Sequence, residues 1–282
     1  MGKILITGAT GNIGKYIVKY ANLNNDNYVM ATSNIDKSNQ EDFVYLDFTK
    51  PESFLKALDG VDRIFIVRPP HLGKPEDLYP FIDFISNKKD IELVVFLSLI
   101  GVEKNPAPPH HKIEKYIEKA NLPYCHVRPS FFMQNLSGIH AFEIKHFDKI
   151  VIPAGNSVTA FIDTEDIGEF IAHILNEPSK HKSTAYSLTG DRAINYYEVA
   201  KIMSEELGRD IRYTKPKNSF AKKYWTNVRG IEKGYAAVMS MLYILTVLGT
   251  AKTITNTFEQ VMGKKPRSFR EFVKNNMDSW SE

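Results

Sequence analysis

Three residues in the first half of this chain have the type and spacing to handle protons. His110 and Glu114 stand four apart where a helix is predicted, so they share one face of it. An imidazole exchanges a proton near neutral pH, and a carboxylate one turn away can orient it, which together make a general acid. The same two residues would serve equally as an ordinary charged helix start; His111 points elsewhere on the helix, toward solvent. Ser98 closes the apolar run Leu93–Leu97 and offers a hydroxyl at a strand end. No residue is assigned to a metal.

A second group can hold an anion. Gly8, Thr10, Gly11, Asn12, Ile13 and Gly14 lie between the apolar run Ile4–Ile6 and a helical pattern at Ile13, Ile17 and Tyr20. Gly8 and Gly11 would let the backbone turn sharply and approach a ligand, since glycine has no Cβ in the way. Gly14 would let the helix pack closely on the strand, and the helix's first N–H groups suit a pyrophosphate. The spacing is G-x-x-G-x-x-G rather than the standard G-x-G-x-x-G, so its place between a strand and a helix carries the assignment.

A carboxylate about 20 residues past the glycines ordinarily binds the ribose diol of NAD. Here that position is Asn34, preceded by Ser33, and the nearest acid is Asp36 in the following loop. Without the acid, a 2′-phosphate is not repelled, and Ser33, Asn34 and Lys37 can supply hydrogen bonds and charge to it. These contacts favour NADP(H) over NAD(H), although the arginine often used for this phosphate is missing. Asp47 and Phe48 are expected to flank the adenine.

The elements that must position these groups alternate strand and helix. Strands are predicted at Ile4–Ile6, Tyr28–Thr32, Phe43–Asp47, Arg63–Val67, Leu93–Leu97 and Tyr124–Val127. Helices follow the first, third, fourth and fifth of them. Thr49–Glu52 has the pattern of a capping box, and so does Ser268–Glu271. Several strands are apolar throughout, which predicts an α/β fold: a doubly wound, parallel Rossmann sheet covered on both faces. Ligands bind beyond the carboxyl ends of such strands. That rule adds Val67, Arg68, Pro69, Ser98, Leu99, Pro129 and Phe132 to the cofactor residues. Phe131, Phe132, Met133, Asn135 and Trp225 are the candidate substrate residues, with packed core as the alternative for the apolar ones.

The expected domains are 1–150, binding the dinucleotide, and 151–282, a smaller and mostly helical substrate domain. About 158–190 is expected to return to the sheet. Short strands are predicted at Ile150–Ile152 and Thr159–Ile162, around a turn at Ala154–Ser157.

The 282 residues suffice for this plan, and a net charge of +3 gives no field for nucleic acid. Cys125 is the only cysteine, which fits a reducing compartment. Met1 runs directly into a strand, so no signal peptide is expected. Gly234–Ala251 is 18 residues without a charge, read as a buried helix rather than a membrane span. A cytoplasmic protein is expected, with a small-molecule acceptor and with a protein partner or homodimer also open.

The collected residues resemble the NmrA-like family of atypical short-chain dehydrogenase/reductases. The resemblance rests on Thr7–Gly14, Gly60–Asp62, His110–Glu114, Leu122–Tyr124, Arg128–Leu136, Asp163–Ile167 and Gly263–Phe272. It implies NADP(H) binding on a Rossmann fold with a small C-terminal substrate domain. It departs from ordinary short-chain dehydrogenases in lacking their Tyr-x-x-x-Lys pair, whose place His110-x-x-x-Glu114 takes. Ser98 matches the usual serine of those enzymes. Two functions follow as expectations: an NADPH-dependent reductase passing hydride to a quinone-like or other conjugated acceptor, or an NADP(H)-binding redox sensor without turnover. A sugar-nucleotide epimerase is a distant third, since such enzymes rely on the missing tyrosine.

Overall fold

The computed structural model describes residues 2–281. Its chain forms two compact units. The first comprises the chain up to Pro129 together with Thr164–Leu188, and the second comprises Ser130–Asp163 and the chain from Thr189 onward.

In the first unit, strands β1 (Lys3–Ile6), β2 (Tyr28–Thr32), β3 (Phe43–Tyr45), β4 (Val61–Ile66), β5 (Leu93–Leu97), β6 (Tyr124–Pro129) and β7 (Thr184–Leu188) form one sheet in the order β3-β2-β1-β4-β5-β6-β7. Every pairing is parallel. This is the doubly wound order, with β7 added beyond β6 as the predicted return to the sheet. Helices α1 (Gly14–Leu23), α2 (Phe54–Ala57), α3 (Tyr79–Ser86), α4 (Pro109–Lys119) and α5 (Thr164–Asn176) provide its covering layers. Ile4, Leu5, Ile64, Phe65, Val94, Val95 and Phe96 are fully or almost fully buried, which explains why these strands read as continuous apolar runs. Helix α5 lies close on α1 at Gly168, where a Cβ would come 2.4 Å from Tyr16 Cβ.

The second unit is mostly helical around a separate core that includes Met133, Leu136, Ile144, Ile152, Trp225, Tyr243, Phe272 and Trp280. The first unit's leading segment therefore stops at Pro129, not near 150, because the next residues send their apolar side chains into this second core. Lys149–Ile150 pairs in parallel with Arg212–Tyr213, and Val158–Thr159 pairs antiparallel with Ile194–Asn195. The two predicted strands around Ala154–Ser157 thus find partners far along the chain and do not pair with each other.

Two local expectations are also corrected. Thr49 does not open a capping box: its hydroxyl donates to Asp47 Oδ1 at 2.7 Å, and the chain enters a 3-10 turn at Pro51–Ser53. The uncharged stretch forms a helix at Lys233–Val247 that buries Ala236, Met239, Ser240, Tyr243 and Thr246 but leaves Tyr235, Val238, Met241, Ile244 and Val247 exposed. Among the described residues no helix is long and apolar enough to cross a membrane. The capping box at Ser268 forms as predicted, with Ser268 and Glu271 each accepting the other's backbone N–H.

Candidate functional site

The glycine turn follows β1 directly. Gly8 has φ +61°, a conformation that costs other residues energy, and a Cβ there would meet Val67 Cγ1 at 2.6 Å. At Gly14 a Cβ would lie 2.1 Å from the Gly8 carbonyl oxygen and 2.7 Å from Ala9 Cα. The turn is held by Gly11 N–H donating to Gly8 O at 2.9 Å. Among the described residues, the N–H groups of Asn12 and Ile13 donate to no backbone carbonyl. The first turn of α1 carries no acid, and Gly8, Thr10, Gly11 and Asn12 are exposed. The result is an open nest of amide donors at a helix N-terminus, shaped for an anionic group. Val67 is fixed beside it, its N–H donating to Thr7 Oγ1 at 2.9 Å.

Past β2, Asn34 Oδ1 accepts the Lys37 N–H at 3.0 Å, which occupies the acceptor half of that amide. Ser33 and Asn34 are exposed, and Lys37 Nζ stands 4.7 Å over the Phe43 ring. The β2 end therefore carries hydroxyl and amide donors with a cation close behind. Past β3, burial pushes the Asp47 carboxyl up, but the hydrogen bonds from Thr49 outweigh it and hold the group below its usual range. Phe48 is buried against Phe81, with the rings edge to face at 5.2 Å, so it packs in the core and offers little surface to a ligand.

The proton-handling residues are arranged differently from the expected pair. Glu114 is only 1% exposed and is bound by Arg128 through two bonds, Nε to Oε1 at 2.9 Å and Nη2 to Oε2 at 2.6 Å. Burial alone would raise its pKa; the Arg128 hydrogen bonds, with Ser98 beside it, bring it below the usual carboxylate value. Glu114 is thus an ionised partner of Arg128 and does not orient His110. The arginine was the missed residue: a cation at a strand end, next to Pro129, was its one visible signal.

His110 lies near Phe96, with ring centroids 6.0 Å apart, and among the described residues its buried Nδ1 has no hydrogen-bond partner. Burial, assisted by the positive charge of Arg68, lowers its pKa to about 4 against a smaller opposing effect of Glu114. The ring is consequently neutral at physiological pH. Arg68 itself donates to the Leu72 carbonyl, while its buried Nε has no partner among the described residues. Ser98 is also buried, and its hydroxyl faces Glu114, whose carboxylate it helps to keep ionised. Leu99 is half-buried at the same strand end and Pro129 is buried at the end of β6. Among the described residues, two polar atoms (Arg68 Nε and His110 Nδ1) thus stand unsatisfied just past the carboxyl end of β4 and at the start of α4, on the same end of the sheet as a glycine cradle that a Cβ would fill. Buried polar atoms of this kind usually have partners, so the set fits a polar ligand.

The candidate substrate residues belong to the second unit. Trp225 is fully buried and Met133 is 2% exposed, so both are core residues; Phe131, Phe132 and Asn135 are only partly buried.

A parallel sheet in this order, with a glycine turn opening α1, defines a Rossmann dinucleotide-binding fold. Residues 1–274 match the NmrA-like family, and the chain belongs to it. It is 32% identical over 288 aligned residues to the prestalk A differentiation protein A of Dictyostelium discoideum, covering 99% of this chain and 93% of that protein. It is 28% identical over 282 residues to an NAD(P)H azoreductase of Xenophilus azovorans, covering 96% of each. Among solved structures, the NADPH-dependent quinone oxidoreductase of Escherichia coli complexed with NADPH superposes with a TM-score of 0.86 at 18% identity, covering 97% of this chain and 99% of that one.

Proposed function

We propose that this protein is an NAD(P)H-dependent oxidoreductase that prefers NADPH and reduces a flat, conjugated acceptor such as a quinone or an azo compound. A nicotinamide dinucleotide bound at the glycine cradle supplies the hydride. Gly8, Gly11 and Gly14 allow its pyrophosphate to approach the backbone, and the free amides of Asn12 and Ile13 receive it. The relatives named for NAD(P)H or solved with NADPH support the cofactor class.

The observation that carries the acceptor class is the state of His110. Burial keeps it uncharged, and Glu114 is committed to Arg128. The residues around the cradle therefore offer hydrogen bonds, not a charged acid. A quinone or azo compound is its own electron sink and takes its proton readily from water, so it tolerates such a site; an ordinary ketone does not. It follows that kcat/KM should be flat between about pH 5.5 and 8, with no break near 6.5. His110→Gln should lose less than about tenfold in kcat, where a general acid would lose on the order of 100-fold or more. A break near 6.5 with a loss of that larger size would overturn the assignment.

The NADPH preference rests on the donors past β2. Asn34→Asp would place a carboxylate where the sequence now has an amide, opposing a 2′-phosphate and suiting a ribose diol. The expected result is about a tenfold fall in NADPH affinity with NADH affinity unchanged or improved, read by fluorescence titration. Equal loss for both cofactors would contradict it.

A further inference from the structure

His173, Glu177 and His181 lie far from the cradle. The carbonyl of Leu175 accepts Arg63 Nη1 at 2.9 Å, and Arg63 is near the start of β4. His181 precedes β7, whose Thr184 pairs with Cys125 near the start of β6. The cluster thus sits at the amino ends of the strands, whereas the glycine turn follows a carboxyl end.

His173 lies in the last turn of α5, Glu177 directly follows that helix, and His181 follows the 3-10 turn Pro178–Lys180. One donor atom from each residue lies within 4.8 Å of the others. His173 Nε2 is 3.6 Å from Glu177 Oε2, while Glu177 Oε1 is held by Lys180 Nζ at 2.9 Å. His181 is 6% exposed and, among the described residues, its Nε2 has no hydrogen-bond partner. Its Nδ1 is 2.9 Å from the Tyr186 hydroxyl. If that nitrogen carries the proton and donates to Tyr186, the lone pair stays on Nε2. This is how a second residue orients a metal-binding imidazole.

We propose that His173, Glu177 and His181 form a Zn²⁺ site. Two imidazoles and one carboxylate oxygen suit zinc better than calcium or magnesium, which take oxygen donors. A tetrahedral ion with bonds near 2.0 Å keeps its donors about 3.3 Å apart, and His173 and Glu177 already approach that spacing. Both are partly exposed and can close the remaining distance, while His181 is fixed. Three protein ligands leave the fourth position to water. The ion would tie the end of α5 to the entry of the edge strand β7, a structural role independent of hydride transfer.

The test titrates metal-free, full-length protein with Zn²⁺ by calorimetry and with Co²⁺ by visible absorption. Wild type should bind one equivalent, show a tetrahedral Co²⁺ spectrum and melt at a higher temperature with Zn²⁺ present. His173→Ala, on a partly exposed side chain, should fold normally by circular dichroism yet lose both the spectrum and the Zn²⁺-dependent rise in melting temperature. Tyr186→Phe should bind about tenfold more weakly. Absence of saturable binding to wild type, or equally tight binding by His173→Ala and His181→Ala, would overturn the proposal. The second outcome would place the metal elsewhere, for example at the Glu114, Glu118 and His126 group.

Discussion

Gly14→Ala should eliminate saturable dinucleotide binding and lower the stability by about 1–3 kcal/mol, the usual cost of overfilling a packed contact. The new methyl carbon would fall 2.1 Å from the Gly8 carbonyl oxygen and 2.7 Å from Ala9 Cα. Both neighbours are backbone, so the clash cannot be relieved by a side-chain rotation. The turn itself must open, and with it the nest of amides at the start of α1. Gly11→Ala is the informative control. Its Cβ would meet only the Gly8 oxygen, at 3.2 Å, at an exposed position with no positive φ. That variant should keep wild-type stability and lose affinity only through closer crowding of the ligand. Urea unfolding and cofactor titration of the two proteins separate the effects. Wild-type affinity in Gly14→Ala would show that the loop does not cradle the cofactor.

The second large effect is expected at Arg128. Arg128→Ala should destabilise the protein by about 3–5 kcal/mol, because Glu114 would remain as a buried charge without its partner. Glu114→Gln should cost less, since Arg128 also approaches Glu103 at 3.6 Å and is partly accessible. The double variant Glu114→Leu with Arg128→Met should recover much of the loss, as replacing both members of a buried pair often does. The sign with pH follows from the lowered Glu114 pKa. A carboxyl held below its unfolded value near 4.5 stabilises fully above that pH, and the contribution fades as pH falls through the folded pKa. Wild type should therefore lose stability in acid more steeply than Glu114→Gln. Additive effects of the two single changes would mean the pair does not interact.

The features legible in the sequence were those set by nearby residues. The glycine turn and the apolar, parallel strands depend on local patterns, and the return of about 158–190 to the sheet was expected and is made by Thr184–Leu188. Contacts between distant residues were hidden. Glu114 lies 14 positions from Arg128, and the helical spacing pointed toward His110 instead. In Lys233–Val247 apolar residues fall on every face, so no period marks which one packs inward. Trp225 has the size of a ligand-stacking ring, but burial in a core uses the same property. His173, Glu177 and His181 do recur at steps of four, yet only the folded chain shows His181 Nε2 without a partner among the described residues.

The central claim is that the cradle holds NADPH for hydride transfer. It is tested most directly by titrating one protein sample with NADPH and then following NADPH oxidation with a panel of quinones and azo compounds. Saturable binding followed by acceptor-dependent oxidation, at a rate insensitive to pH near 6.5, is the predicted result. Saturable binding with no oxidation by any acceptor would contradict it and favour a protein that binds the cofactor as a signal.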